Sequence, residues 1–183
     1  MWQATAIPQV FVAEQPSRAG GPDLLWYAVH CKPHFEFRVA RDFSQSGIET
    51  YLPVFEETHQ WTDRKKTVLV PVFPGYVLTR FADVAGARTS ILKNFGVIRI
   101  LGHGHYLDAI PEEQVDSVRR LLASPLRCEG HPLIKEGATV RVRHGALKGL
   151  EGLMVRFKNK TRLVVSVDLL GRSISPAIDS GGV

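Results

Sequence analysis

Residues 70–81 read "VPVFPGYVLTRF", an apolar run of strand-forming residues with Pro74 and Gly75 at its centre. Proline lacks the backbone N–H a strand ladder needs, and glycine weakens a strand interior. The run is therefore two pieces: the end of one strand, a bend, and a new strand, "GYVLTRF". Such a bend turns Phe73 and Tyr76 outward, where a straight strand would bury both. Just upstream, an extended arm runs to Trp61, "TDRKKT" turns, and "VLVPVF" returns, which predicts a hairpin with a basic tip.

The surrounding segments fix the class. "LLWYAVHC" (24–31) mixes aromatic and β-branched residues and predicts a strand. Pro33 opens a helix to about Ser46, stopped by Gly47, with Phe35, Val39 and Phe43 on one apolar stripe. "IETYLPVF" is the next strand. Asp83 is placed to cap a helix reaching Lys93, with Val84, Ala87 and Ile91 facing the core. "GVIRILG" is a strand, and Pro111 starts a third helix with Val115, Val118 and Leu122 buried. This order predicts an α+β fold, with helices packed on an antiparallel sheet.

Residues 124–136, within "ASPLRCEGHPLIKEG", lack periodicity and carry prolines and glycines, which predicts a linker. Beyond it, Val140 and Val142 alternate with Arg141 and Arg143, and Leu163, Val165 and Val167 alternate along "LVVSV". Short strands between glycines predict a small all-β barrel over 137–183. The expected organisation is a loose tail (1–23), an α+β domain (24–123), the linker and the barrel.

The 183 residues are 44% hydrophobic and 22% charged, as in an ordinary globular chain, and the formal net charge of +5 favours a polyanionic partner. Cys31 and Cys128 form no CxxC pair, which argues against a zinc knuckle and fits a reducing, cytoplasmic setting. No apolar stretch is long enough to span a bilayer. Paired carboxylates, triad spacing and a phosphate loop are absent from the sequence, which points to a binding protein without cofactor or metal, not an enzyme. "GHGH" (102–105) holds two histidines without a third ligand nearby and reads as a turn. Cys31 lies beside Lys32, a place for a lowered thiol pKa, but no His/Asn constellation accompanies it, so it is read as packing.

In "GATVRVRHGALKGLEGLMV", Gly137 precedes a Val-x-Val strand, and Gly145, Gly149 and Gly152 follow at intervals that permit tight turns. This resembles the KOW motif, and "LVVSVDLLGRSISPAID" resembles the last hairpin of the KOW barrel in NusG-type factors. "WYAVHCKPHFEFRVARDF", "VFPGYVLTRF" and "GVIRILG" resemble successive segments of the NusG N-terminal (NGN) domain. The resemblance covers about Leu24 to Asp179. "CKP", "WTDRKKTVLVPVFPGY" and "VSVDLLGRS" resemble the specialised paralogues of the RfaH and UpxY type.

The resemblance implies a transcription elongation or antitermination factor. Its NGN domain would bind the β′ clamp helices of RNA polymerase, bridge the cleft and suppress pausing or termination. By motif position, Phe73, Tyr76 and Leu78, with His30, would line the docking surface; the alternative for each is ordinary core. Lys32, Arg38 and Arg41 would face upstream or non-template DNA, where phosphate contacts are sequence-independent and salt-sensitive. Arg64, Lys65 and Lys66 at the hairpin tip form a second basic patch, with Trp61 either a base-stacking platform or a hairpin staple. Ala87, Arg88 and Thr89 stand where RfaH has a His-Thr-Thr contact to the β gate loop, so Arg88 and Thr89 are the candidates that remain. An arginine of RfaH aligns with Phe95. Leu147 occupies the aromatic position through which the KOW domain of NusG helps bind a ribosomal small-subunit protein or Rho. A KOW-type RNA-binding or ribosome-associated protein is the competing reading.

Overall fold

The computed structural model describes residues 23–60, 65–124, 128–132, 134–143, 147–157 and 160–176. The expected N-terminal tail lies outside them. The chain enters as β1 (Leu24–Cys31), α1 (Glu36–Gln45), β2 (Glu49–Tyr51), β3 (Val54–Gln60), β4 (Lys65–Pro71) and β5 (Tyr76–Ala82). It continues through α2 (Ala85–Leu92), β6 (Val97–Ile100), β7 (Gly102–His103), β8 (Tyr106–Leu107), β9 (Ala109–Ile110) and α3 (Glu112–Ala123). The rest is all β: β10 (Cys128–Pro132), β11 (Ala138–Arg141), β12 (Glu151–Phe157), β13 (Lys160–Val167) and β14 (Arg172–Pro176).

The first sheet has the order β2-β5-β1-β6, with β9 on the same edge of β1 as β6. Its pairings are antiparallel, and the β1–β5 register runs from Leu24 opposite Ala82 to His30 opposite Tyr76. Side chains alternate between faces along a strand, so each strand feeds two cores. Tyr27, Val29 and Cys31 of β1, with Val77 and Phe81 of β5, share one core with Val39, Ala40 and Phe43 of α1 and Ile91 of α2. Trp26 and Ala28, with Leu78, share the other with Val115, Val118 and Leu121 of α3. Helices therefore cover both faces of this antiparallel sheet, α1 and α2 on one and α3 on the other. The Arg119 guanidinium lies over the rings of Trp26 and Tyr51, 4.8 and 5.0 Å from their centroids, and ties α3 to the sheet.

Several element ends differ from expectation. A turn precedes α1, which starts at Glu36 and not near Pro33; His34 there has φ 65°. Val84 occupies the cap position of α2, and Asp83 instead pairs with Arg88. Leu121 is the fully buried leucine of α3, and Leu122 beside it is half-buried and packs against the same core.

The C-terminal sheet is antiparallel, in the order β10-β14-β13-β12-β11. The stretch 124–136 is thus not all connector, since β10 lies within it and pairs with β14 from Cys128–Pro176 to Pro132–Arg172. An end strand tolerates Gly130 and Pro132 because one of its edges needs no ladder partner, which is why the sequence there shows no strand pattern.

The two halves are packed together. The core that holds Trp26, Phe73 and Leu78 also contains Leu147, Leu150, Leu163, Val165, Val167, Leu170 and Ile174 from the C-terminal half. An Arg120 Nη2–H donates to the Lys148 carbonyl across the boundary. A groove of about 680 Å³ runs between Glu113, Gln114 and Ser117 of α3 and residues such as Lys135, Thr139 and Asp168.

Candidate functional site

The break in "VPVFPGYVLTRF" is a tight turn. The Tyr76 N–H donates to the Phe73 carbonyl at 3.0 Å, with Pro74 and Gly75 between them. Gly75 has φ 85°, the left-handed value that the third position of a type II turn requires, and proline suits the second. The turn is fastened from outside. The Gly75 N–H donates to Glu36 Oε1 at 2.7 Å, and the Gly75 carbonyl accepts from the Cys31 N–H at 2.8 Å. Glu36 is only 5% exposed, so its carboxylate serves the turn and not a solvated helix face.

The four residues assigned to a docking surface come together here, in two different states. His30 and Tyr76 face each other across β1 and β5, half-buried, with rings stacked at a centroid distance of 5.1 Å. His30 Nδ1 is buried without a hydrogen-bond partner among the described residues. Phe73 and Leu78, by contrast, are 1% and 0% exposed. The expectation that the bend presents Phe73 at the surface is corrected: Phe73 lies in the core shared with α3 and the C-terminal half. The turn reverses the chain, and a large ring at its start finds apolar cover on that side.

The basic residues divide by location. Lys32 follows β1, and Arg38 and Arg41 stand on the exposed side of α1. Arg38 and Arg41 each lie 3.8 Å from a carboxylate oxygen of Asp42, loose surface pairs of little energetic weight. Both cations at the start of α1 surround an aromatic. Lys32 Nζ is 4.0 Å from the Phe95 ring centroid, and the Arg38 guanidinium is 5.8 Å from it. In the sequence Phe95 stood out only as the residue aligned with an arginine of RfaH. At the hairpin, β3 and β4 pair from Val54–Pro71 to Gln60–Lys65 as expected. Trp61 and Arg64 lie outside the described residues, Lys65 begins β4, and Lys66 is exposed.

Other candidates are already engaged. Arg88 bonds Asp83 through both Nε and Nη2, the latter at 2.6 Å, and donates through Nη1 to the His105 carbonyl at 2.8 Å. Those bonds hold the Asp83 carboxyl below its ordinary pKa. Thr89 Oγ1 donates to the Ala85 carbonyl at 2.8 Å within α2. Leu147 is 5% exposed and belongs to the shared core, so it offers no surface contact in this arrangement. Burial pushes the Cys31 thiol up to about 12, with Glu36 adding to the shift, as fits a packing residue. His103 and His105 sit on the β7–β8 hairpin, where His103 Nδ1 lies 2.5 Å from Asp108 Oδ2.

Residues 24–119 match the family described as "Transcription termination factor nusG". The chain belongs to the NusG family. The matched residues span the first sheet, its turn and most of α3, and so include His30, Phe73, Tyr76 and Leu78. A protein of Halalkalibacterium halodurans described as the transcription termination/antitermination protein NusG is 24% identical over 160 residues, 80% of this chain and 90% of that protein. The structure titled "Domain interaction in Thermotoga maritima NusG" covers 84% of this chain and 93% of its own at 15% identity and a TM-score of 0.48. The MjSpt4:Spt5 complex, conformation A, covers 82% of this chain and 97% of its own at 18% identity and a TM-score of 0.28.

Proposed function

We propose that this chain is a transcription elongation or antitermination factor of the specialised NusG type, acting in the cytoplasm by binding and without a reaction of its own. It docks on the β′ clamp helices of RNA polymerase through the sheet face carrying His30, Tyr76, Phe73 and Leu78, bridges the cleft, and suppresses pausing or termination. The observation that carries this reading is the family match over 24–119, which contains that whole face. The stacked His30–Tyr76 pair supplies the accessible part, a large aromatic area with a polar tip at its edge. Phe73 and Leu78 share their core with the C-terminal half, so full engagement of a partner requires the halves to part. Polymerase binding and this packing then compete for one surface, and the partner shifts the population by its differential affinity. Released, the C-terminal half recruits a second partner, a ribosomal small-subunit protein or Rho, with Leu147 among the uncovered residues. Lys32, Arg38, Arg41 and the hairpin residues Arg64, Lys65 and Lys66 lie against upstream or non-template DNA, and Arg88 and Thr89 are candidates for the gate-loop side.

Pull-down of the full chain against core RNA polymerase and against ribosomes tests the reading. Retention on polymerase is the expected result. Retention on ribosomes alone assigns the chain to the ribosome-associated alternative.

A further inference from the structure

β10 is a strand written in connector sequence. It pairs with β14 from Cys128–Pro176 to Pro132–Arg172, and its other edge has no strand partner among the described residues. "CEGHP" is a poor strand sequence, since glycine weakens a strand and proline withholds a donor. The strand is nevertheless fastened to both halves of the molecule. On the C-terminal half, His131 Nε2 lies 2.8 Å from Oγ of the buried Ser175 on β14. On the N-terminal half, Cys128 packs against the shared core, and its thiol donates to the Leu121 carbonyl of α3 at 3.8 Å. Gly130 lies beside the Val72 carbonyl, next to Phe73; a Cβ there would stand 3.7 Å from that oxygen. β10 therefore runs past the turn at 73–76 and clasps it to the last strand.

The pairing of β10 also sets the length of the connection between the halves. α3 ends at Ala123, and its Leu121 lies in the same core as Phe73 and Leu78. With β10 on β14, five residue steps join Ala123 to Cys128, a reach of about 17 Å when fully extended. With β10 undocked, fifteen steps join Ala123 to Ala138 of β11, a reach of about 50 Å. A pair of helices, the partner proposed above, is about 20 Å across. The short connection opens a gap narrower than that pair, and the long one opens a gap that admits it.

We propose that β10 is a releasable strap. Docked on β14, it holds the C-terminal half over the face around His30 and Tyr76. Undocked, it joins the connection and lets a helical pair reach that face. The inference rests on the docking reading above and names the element whose release that docking needs.

The test locks the strap. Pro132 and Arg172 are exposed and directly opposite each other, so a Pro132→Cys/Arg172→Cys disulfide joins β10 to β14 within strand geometry. In hydrogen–deuterium exchange of the full chain, backbone amides of 129–131 should exchange about tenfold faster in wild type than in the oxidised double variant, while those of β13 change less. In an equilibrium titration with core RNA polymerase, the oxidised variant should bind about tenfold more weakly than wild type, and dithiothreitol should restore wild-type affinity. Equal exchange of 129–131 in wild type and locked chain overturns the proposal, because β10 then stays docked without a lock. Wild-type polymerase affinity in the oxidised variant overturns it too. Failure of wild type and reduced variant alike to bind polymerase would count against the docking reading, and the exchange comparison then decides the strap by itself.

Discussion

At the scale of the residue, identity proved easier to read than environment. The sequence marks Cys31 as a thiol beside a lysine, but what governs it is the strand it ends. Cys31 is fully buried against α1, and its pKa rises to about 12. A thiol so placed stays protonated at neutral pH and is inert. Maleimide labelling of the native chain at pH 7.5 should therefore leave Cys31 unmodified until the protein is unfolded by urea; rapid native labelling at Cys31 would contradict its burial. Phe73 teaches the same point in reverse. The motif correctly marked it and Tyr76 as a pair at a break, but only Tyr76 stays partly accessible. The cover over Phe73 comes from α3 and from residues more than seventy positions later, and no local pattern encodes that.

At the scale of the element, the turn at 73–76 shows why proline and glycine interrupt an apolar run. Their backbone preferences match the type II turn, and its N–H and carbonyl groups are then used by α1 and β1. Glu36 is the external fastening. Glu36→Ala would leave the half-buried Gly75 N–H without its acceptor, at a cost of about 1 kcal/mol. Urea unfolding should report that loss as a lower midpoint with little change in slope. Strands with alternating or continuous apolar residues, such as β1 and β13, were legible, and so was the hairpin of β3 and β4. β10 was not, because an end strand may contain glycine and proline. The α2 cap was misread because Asp83 had a stronger partner in Arg88 than the helix N-terminus.

At the scale of the molecule, the order of segments disclosed an α+β half followed by an all-β half, and the family match covers the first. Their packing on one apolar core was not legible, since it depends on which faces meet. That packing makes accessibility of the proposed docking face a property of the whole chain. The Arg120 bond to the Lys148 carbonyl is one contact holding it closed. Arg120→Ala, which removes a contact worth roughly 1 kcal/mol, should therefore tighten polymerase binding about fivefold in an equilibrium titration. Weaker binding would mean that Arg120 acts on the polymerase side. The central claim is that the face around His30 and Tyr76 is where polymerase docks. It is tested most directly by the affinity of core RNA polymerase for wild type and for the double variant His30→Ala/Tyr76→Ala, with far-UV circular dichroism confirming that both are folded. The account predicts a folded double variant that binds at least about a hundredfold more weakly, as loss of two central aromatic anchors should give. A folded double variant with wild-type affinity would contradict it.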